Sequence, residues 1–159
     1  MTRVGIMTFH AAHNYGSILQ AQALFHALKH YWSVDPVIID YTPASIIFSD
    51  LISNVGRLPM RYKSFANMLD DFFVEHKTAR THKISFVNML NESFPSLDLC
   101  FFGGDQIWNP FITIGVNPMY FGSFLDKQCL KISYSASFGT KILPVIFQSF
   151  GVHIPIIFR

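Results

Sequence analysis

Apolar and polar positions along this chain fall into blocks whose period changes. Val4 to Phe9 is a short, β-prone apolar run, and the polar stretch His10 to Ser17 follows it, the pattern of a buried strand ending at a loop. From Ser17 the period becomes helical. Ile18, Ala21, Phe25, Leu28 and Trp32 recur on one face at three- and four-residue spacing, while Gln22, His26, Lys29 and His30 cluster towards the other. Asn14 or Ser17 is placed to cap this helix, and Gly16 to supply a positive φ before it. Val37-Ile38-Ile39-Asp40-Tyr41 reads as a second strand, stopped at Thr42-Pro43. Residues 44–95 read as helices and loops, with a helix near 62–76 that puts Phe65, Met68, Leu69 and Phe72 on one face. Leu97–Phe102 and Leu130–Ala136 read as a third and a fourth strand.

Strand, loop, helix and strand in that order imply a parallel pair with a right-handed crossover. The fold class expected is therefore α/β: a Rossmann-like parallel sheet flanked by helices. Residues 1–144 are expected to form this domain, and residues 145–159 a divergent hydrophobic tail.

Composition narrows the function classes. Half of the 159 residues are hydrophobic, 14% are charged and 17 are Phe, which supplies a real core and excludes a disordered chain. A net charge of +2 without any Lys/Arg cluster interleaved with aromatics argues against nucleic acid. The two cysteines, Cys100 and Cys129, sit in apolar company and read as buried free thiols. Together with the seven histidines they make no metal-ligand pattern, so no metal is expected. The apolar start is too short for a signal peptide. The most apolar segment, 142–158, is interrupted by Pro144, Gln148, Gly151, His153 and Pro155, so no membrane span is expected. The expectation is a soluble, cytoplasmic protein.

Two polar loops, 10–17 and 103–110, each follow an apolar strand, and in a parallel sheet both open on one edge, where α/β proteins bind ligands. The first loop also leads into a helix N-terminus, which favours an anion. Its only glycine is Gly16, so it is neither a Walker loop nor a dinucleotide fingerprint. The second carries the densest polar chemistry of the chain, Gly103-Gly104-Asp105-Gln106-Ile107-Trp108-Asn109-Pro110. No G-x-S-x-G elbow activates the serines of 133–137; Ser137 and Tyr134 read as lining the cleft or satisfying backbone groups.

Four blocks carry a resemblance. Gly5-Ile6-Met7-Thr8-Phe9-His10 with Asn14-Tyr15-Gly16-Ser17-Ile18-Leu19-Gln20-Ala21-Gln22-Ala23-Leu24 resembles the opening of the polysaccharide pyruvyl transferase family, and Val37–Tyr41 fits its second strand. Gly103–Pro110 resembles the family's G-S-D-Q-x-W-N motif, with Gly104 where Ser is usual. Lys131-Ile132-Ser133-Tyr134-Ser135-Ala136-Ser137-Phe138-Gly139 resembles K-x-x-Y-A-A-S-F-G, with Ser135 in place of Ala. The resemblance covers residues 4–139.

The resemblance implies transfer of a pyruvyl group from phosphoenolpyruvate, as co-substrate and with no other cofactor, to sugar hydroxyls as a ketal during surface-polysaccharide biosynthesis. It implies a GT-B-like fold of which this chain matches the N-terminal half. The partners implied are a sugar or polysaccharide-precursor acceptor, with peripheral association with a lipid-linked glycan at the membrane. The family's phosphoenolpyruvate-binding basic residues and its proposed catalytic His lie largely in the C-terminal half, so none is assigned here. The tail after Pro144 has no acid and no helical cap, which suggests a truncated or frameshifted reading frame, or else a short protein with a hydrophobic last strand.

Each candidate site residue has two readings. Asp105 is the best candidate for a base at the sugar hydroxyl, or it caps the following turn. His10 is a candidate acid or anion ligand, or a structural His. Trp108 stacks on a sugar ring or belongs to the core. Gln106 and Asn109 read sugar hydroxyls or hold their own loop. Asn14, Tyr15 and Gly16 shape the first loop at the substrate, and Gln20, one turn into the helix, reaches the ligand or is simply exposed. The rival readings of the whole are a non-catalytic sugar- or partner-binding α/β module, or a non-functional fragment.

Overall fold

The apolar run at the N-terminus forms the middle of a parallel sheet. A computed structural model describes residues 2–12, 14–53, 58–84 and 96–139; His13 and the expected tail 145–159 lie outside them. Strands β1 (Arg3–Met7), β2 (Asp35–Ile38), β3 (Leu99–Gly103) and β4 (Leu130–Tyr134) are all parallel, in the order β2-β1-β3-β4. Helix α1 (Tyr15–Tyr31) joins β1 to β2, and α2 (Ala44–Ser53) and α3 (Leu58–Glu75) lie between β2 and β3. No helix among the described residues is long and apolar enough to cross a membrane. The fold is α/β, as expected.

A further ribbon lies outside β2. Ile38 bridges Arg80 and Tyr41 bridges Ile84, both parallel. The Ile38 N–H donates to the Ala79 carbonyl at 2.9 Å, and the Ile84 N–H to the Asp40 carbonyl at 2.8 Å. The sequence pattern predicts only helices and loops across 44–95, because Arg80-Thr81-His82-Lys83-Ile84 has no run of apolar residues to mark a strand. Pairing with β2, rather than local propensity, places this segment.

Chain direction therefore reverses between β1 and β3. From β1 the chain steps outward to β2 and the ribbon, then returns to β3 on the other side of β1. The layers follow this reversal. Helices α1 and α3 cover the face that carries Val4, Ile6, Ile38 and Phe101, whereas the opposite face, with Met7, Cys100 and Phe102, is covered by the β3–β4 connection through Ile107, Trp108, Met119 and Tyr120. One hand of crossover requires opposite faces for opposite directions.

Helix α1 starts where its cap is supplied. Asn14 is extended (φ −142°, ψ 111°) and its Oδ1 accepts the Gly16 N–H at 2.9 Å, and Lys29 and His30 sit in the last turn, where the helix dipole favours positive charge. Ile18, Ala21, Phe25 and Leu28 are buried on its predicted face, each large side chain contributing about 1.5–3 kcal/mol. Two expectations are corrected. Gln22 is buried instead of facing solvent, its Oε1 accepting the Thr78 hydroxyl at 2.6 Å and its Nε2 lying 2.7 Å from His26 Nε2. Trp32 is exposed, because it follows the last helical residue. In α3, Phe65, Leu69 and Phe73 are buried, with Met68 and Phe72 packed beside them.

β3 ends at two glycines for a steric reason. Gly103 (φ +143°) lies against the end of β4 so closely that a side chain would collide with the Tyr134 carbonyl and the Ala136 nitrogen, and the Gly104 N–H donates to that Tyr134 carbonyl at 2.7 Å. β4 pairs only with β3 among the described residues, and four of its five residues are exposed.

Gly103→Ala is expected to destabilise the fold by about 3 kcal/mol or more, since both φ and space are wrong. Gly115→Ala, at φ +98° with nothing within 4 Å, is expected to cost only about 1–2 kcal/mol from strain. Denaturant titration of the two variants measures the difference, and equal losses would contradict the packing argument.

Candidate functional site

The reversal of chain direction opens a crevice at the C-terminal ends of β1 and β3, the position at which open α/β sheets bind ligands. Its floor is Thr8, just past β1, with Gly103 and Gly104 at the end of β3. One wall is the side of α1 that carries Gln20, Ala23, Leu24 and Ala27, and the other is Tyr134 and Ser135 at the end of β4. The cavity measures about 310 Å³ and no lining residue is charged. The Thr8 hydroxyl is buried and makes no hydrogen bond, an arrangement that costs about 1–3 kcal/mol when nothing else satisfies it.

Asp105 follows Gly104 of the crevice floor and is held by three hydrogen bonds. Its Oδ2 accepts the Ser17 hydroxyl at 2.8 Å, its Oδ1 accepts the Gln106 N–H at 2.7 Å, and its carbonyl accepts the Ser137 N–H at 3.1 Å. Ser17 lies in the first turn of α1, so the carboxylate sits where the helix dipole favours negative charge. The chain's own anion thus occupies the neighbourhood that the bare helix N-terminus offers to a phosphate.

The other predicted residues separate into those that face out and those that face in. Tyr15 is exposed, its ring edge-on to Phe65 at 6.0 Å. Gln20 lines the crevice, and Gln106 is exposed with its Oε1 accepting Asn109 Nδ2 at 2.8 Å. Asn109 is buried and spends its other carboxamide atom on the Phe111 N–H. Trp108 is buried, donates its indole N–H to the Tyr120 carbonyl at 2.9 Å and stacks on Phe121 at 5.6 Å and 12°. Asn14 caps α1. Gly16 is corrected: it is the second residue of α1 with no positive φ, because capping by Asn14 starts the helix two residues before Ser17, and Gly103 and Gly104 take the left-handed conformations instead.

His10 is fully buried behind the crevice floor. Its Nε2 lies 3.0 Å from Asp40 Oδ1 and its Nδ1 3.4 Å from the Thr8 carbonyl. Arg80, from the outer ribbon, reaches Asp40 Oδ2 at 3.4 Å and Asp70 Oδ1 at 2.7 Å while lying 4.7 Å over the Phe73 ring. Burial by itself would raise the Asp40 pKa, but the His10 hydrogen bond and the positive fields of His10, Arg80 and Lys83 hold it below the usual carboxylate range. The structure therefore brings Gln20 to the crevice, leaves Asp105 next to its floor residue Gly104, and places His10 in a separate, inward network.

Thr8, Asp40 and Arg80 are not among the candidates that the sequence pattern marks. Thr8 had a faint signal, a hydroxyl inside the apolar run Met7-Thr8-Phe9; Arg80 had none, since nothing in sequence links it to a carboxylate forty positions earlier. Both cysteines are free and buried, and burial pushes both thiols up, away from nucleophilic thiolate. No group of three His, Cys, Asp or Glu side chains that could hold a metal occurs among the described residues. Comparison of the chain with protein-family models, with curated proteins and with solved structures gave no match.

Two measurements test this geometry. A double-mutant cycle of Ser17→Ala and Asp105→Asn is expected to give a coupling near 1 kcal/mol; additivity would mean that the contact carries no energy. A depressed Asp40 pKa stabilises the fold above the unfolded value, 3.8, and this contribution is lost as pH falls through the lower folded value. Asp40→Asn is thus expected to lose about 3 kcal/mol near neutrality and to show a flatter decline of stability below pH ~4 than the parent, as followed by urea midpoints.

Proposed function

We propose that this chain is the N-terminal part of a polysaccharide pyruvyl transferase-like protein and that its crevice forms the acceptor side of the site. One observation carries the reading. Three of the four blocks, far apart in sequence, meet at one crevice, lined by Thr8 and Gln20 from the first, Gly103 and Gly104 from the third, and Tyr134 and Ser135 from the last, with Asp105 beside Gly104 bound to Ser17 and Ser137. A GT-B-like arrangement, in which a second domain faces this sheet edge, is part of the same proposal.

The chemistry assigns limited work to these residues. In ketal formation two sugar oxygens bond to C2 of phosphoenolpyruvate, the C2–O bond to phosphate breaks, and the methylene carbon becomes a methyl group. One hydroxyl proton ends on that carbon and the other leaves with phosphate. Asp105 is the group to accept a proton from the sugar hydroxyl: each carboxylate oxygen keeps acceptor capacity beyond its bond to Ser17 or Gln106. The crevice lining offers no cation for the phosphate and carboxylate of phosphoenolpyruvate, so those groups come from elsewhere in the assembled enzyme. The uncharged lining also favours a second reading, a sugar-binding module without catalysis.

Removal of the encoding gene is expected to abolish acid-labile pyruvate ketals on the host's surface glycan, and Asp105→Asn to lower them at least tenfold. The readout is the ketal methyl signal in NMR spectra of isolated glycan. Unchanged ketal content after gene removal would refute the transferase reading; loss on removal but not in Asp105→Asn would withdraw the role of Asp105.

A further inference from the structure

We propose that β4 is the interface of a two-fold dimer, in which a second copy of this chain adds its own β4 antiparallel to the open edge, with the axis at Ile132. The interface lies along the side of the sheet and does not depend on the chemistry assigned to the crevice.

The edge is open, and the direction of its polar groups is fixed. β4 pairs with β3 and with no other strand among the described residues. The Leu130 N–H donates to the Asp98 carbonyl at 3.0 Å, and the Tyr134 carbonyl accepts the Gly104 N–H at 2.7 Å. Backbone groups alternate sides along a strand, so Leu130, Ile132 and Tyr134 turn theirs towards β3. Those of Lys131 and Ser133 point outward, and no backbone partner for them occurs among the described residues. Parallel strands are ordinarily buried on both faces, yet Leu130 is 61% and Tyr134 50% exposed. No proline interrupts β4 and Lys131 is its one charge. A row of open donors and acceptors beside apolar side chains is a template for another strand.

The pattern of β4 is complementary to itself in one register. In an antiparallel ladder, two residues that face each other with outward groups exchange both hydrogen bonds. With the axis at Ile132, Lys131 faces Ser133 of the second copy, and every outward N–H and C=O of both strands is paired. Ile132 lies beside Phe101 on the α1 face of the sheet. On that face Leu130, Ile132 and Tyr134 meet Tyr134, Ile132 and Leu130 of the second copy, an unbroken apolar row. The neighbouring registers fail. An axis at Lys131 sets two lysines opposite each other, which is unfavourable. An axis at Ser133 sets Lys131 against Ser135, whose left-handed backbone (φ 50°) ends the strand. Self-complementarity is the condition for a closed two-fold interface. Tyr134 also lines the crevice, so the dimer sets Leu130 of the second copy beside that wall.

Sedimentation velocity on the full chain, up to roughly 1 mM so that weak association is seen, tests the proposal. A reversible monomer–dimer equilibrium is expected. Ser133 is exposed. Ser133→Asp puts an acid opposite Lys131 of the second copy and is expected to tighten the dimer about threefold, whereas Ser133→Lys is expected to weaken it about threefold. Residue-resolved amide exchange by NMR on the parent chain is the second measurement, and it holds whether or not the variants fold. The Lys131 and Ser133 amides are expected to become protected as concentration rises, while those of Ile132 and Tyr134, turned to β3, are protected throughout. A chain that stays monomeric, or a dimer constant that ignores the sign of the charge at residue 133, overturns the proposal. So does a dimer in which the Lys131 and Ser133 amides exchange freely. Protection of these two amides already in the dilute monomer also overturns it, because another part of the same chain then holds the edge.

Discussion

The close approach of the end of β3 to the end of β4 is the constraint on which the crevice depends. With no side chain at Gly103, the two strand ends meet backbone to backbone, and the Gly104 N–H is fixed on the Tyr134 carbonyl. That contact turns the chain so that Asp105 reaches back to α1, and it brings residues 135–139 beside residues 105–109. The Trp108 N–H then donates to the Ser137 carbonyl at 3.3 Å, and Gly139 lies against the carboxamides of Gln106 and Asn109. A side chain at Gly103 would separate all of these groups together.

A second division of labour runs along α1. One side buries Ile18, Phe25 and Leu28 against the sheet, and the adjacent side leaves Gln20, Ala23, Leu24 and Ala27 along the crevice. Short side chains there keep the helix from filling the space over β3 and β4. Trp108, the most conspicuous side chain of the polar loop, serves stability: its indole is enclosed by Phe121 and Phe138 and hydrogen-bonded to Tyr120. The crevice is thus lined by uncharged residues, with Gln20, Leu24 and Tyr134 among alanines and glycines, while Trp108 belongs to the core on the other face of the sheet.

Much of the architecture was legible in the sequence because burial imposes period. The four apolar runs became four parallel strands, and the spacing of Ile18, Ala21, Phe25 and Leu28 identified the packed face of α1. The two polar loops met at one edge, as strand order implied, and Ser17 touches Asp105 across 88 positions. What was illegible depends on contacts without a local signature. The outer ribbon at Arg80 and Ile84 is set by pairing with β2, and Gln22 is buried because Thr78 happens to answer it. His10 shares the polar loop of Asn14 and Ser17, yet Asp40 draws it inward. A loop residue's direction is decided by its partner, and sequence does not name the partner.

The outer ribbon has a consequence for the crevice floor. From Arg80 a chain of polar contacts runs through Asp40 and His10 to the carbonyl of Thr8, the residue whose hydroxyl lies unpaired below the cavity. Edge elements held by a few bridges open at lower free energy than central strands. Release of the ribbon takes Arg80 from Asp40, leaves a buried anion with one partner fewer, and loosens the ring that braces Thr8 from behind. A segment that lies outside β2 and does not line the crevice is thus joined, through Asp40 and His10, to the backbone of a residue on the crevice floor.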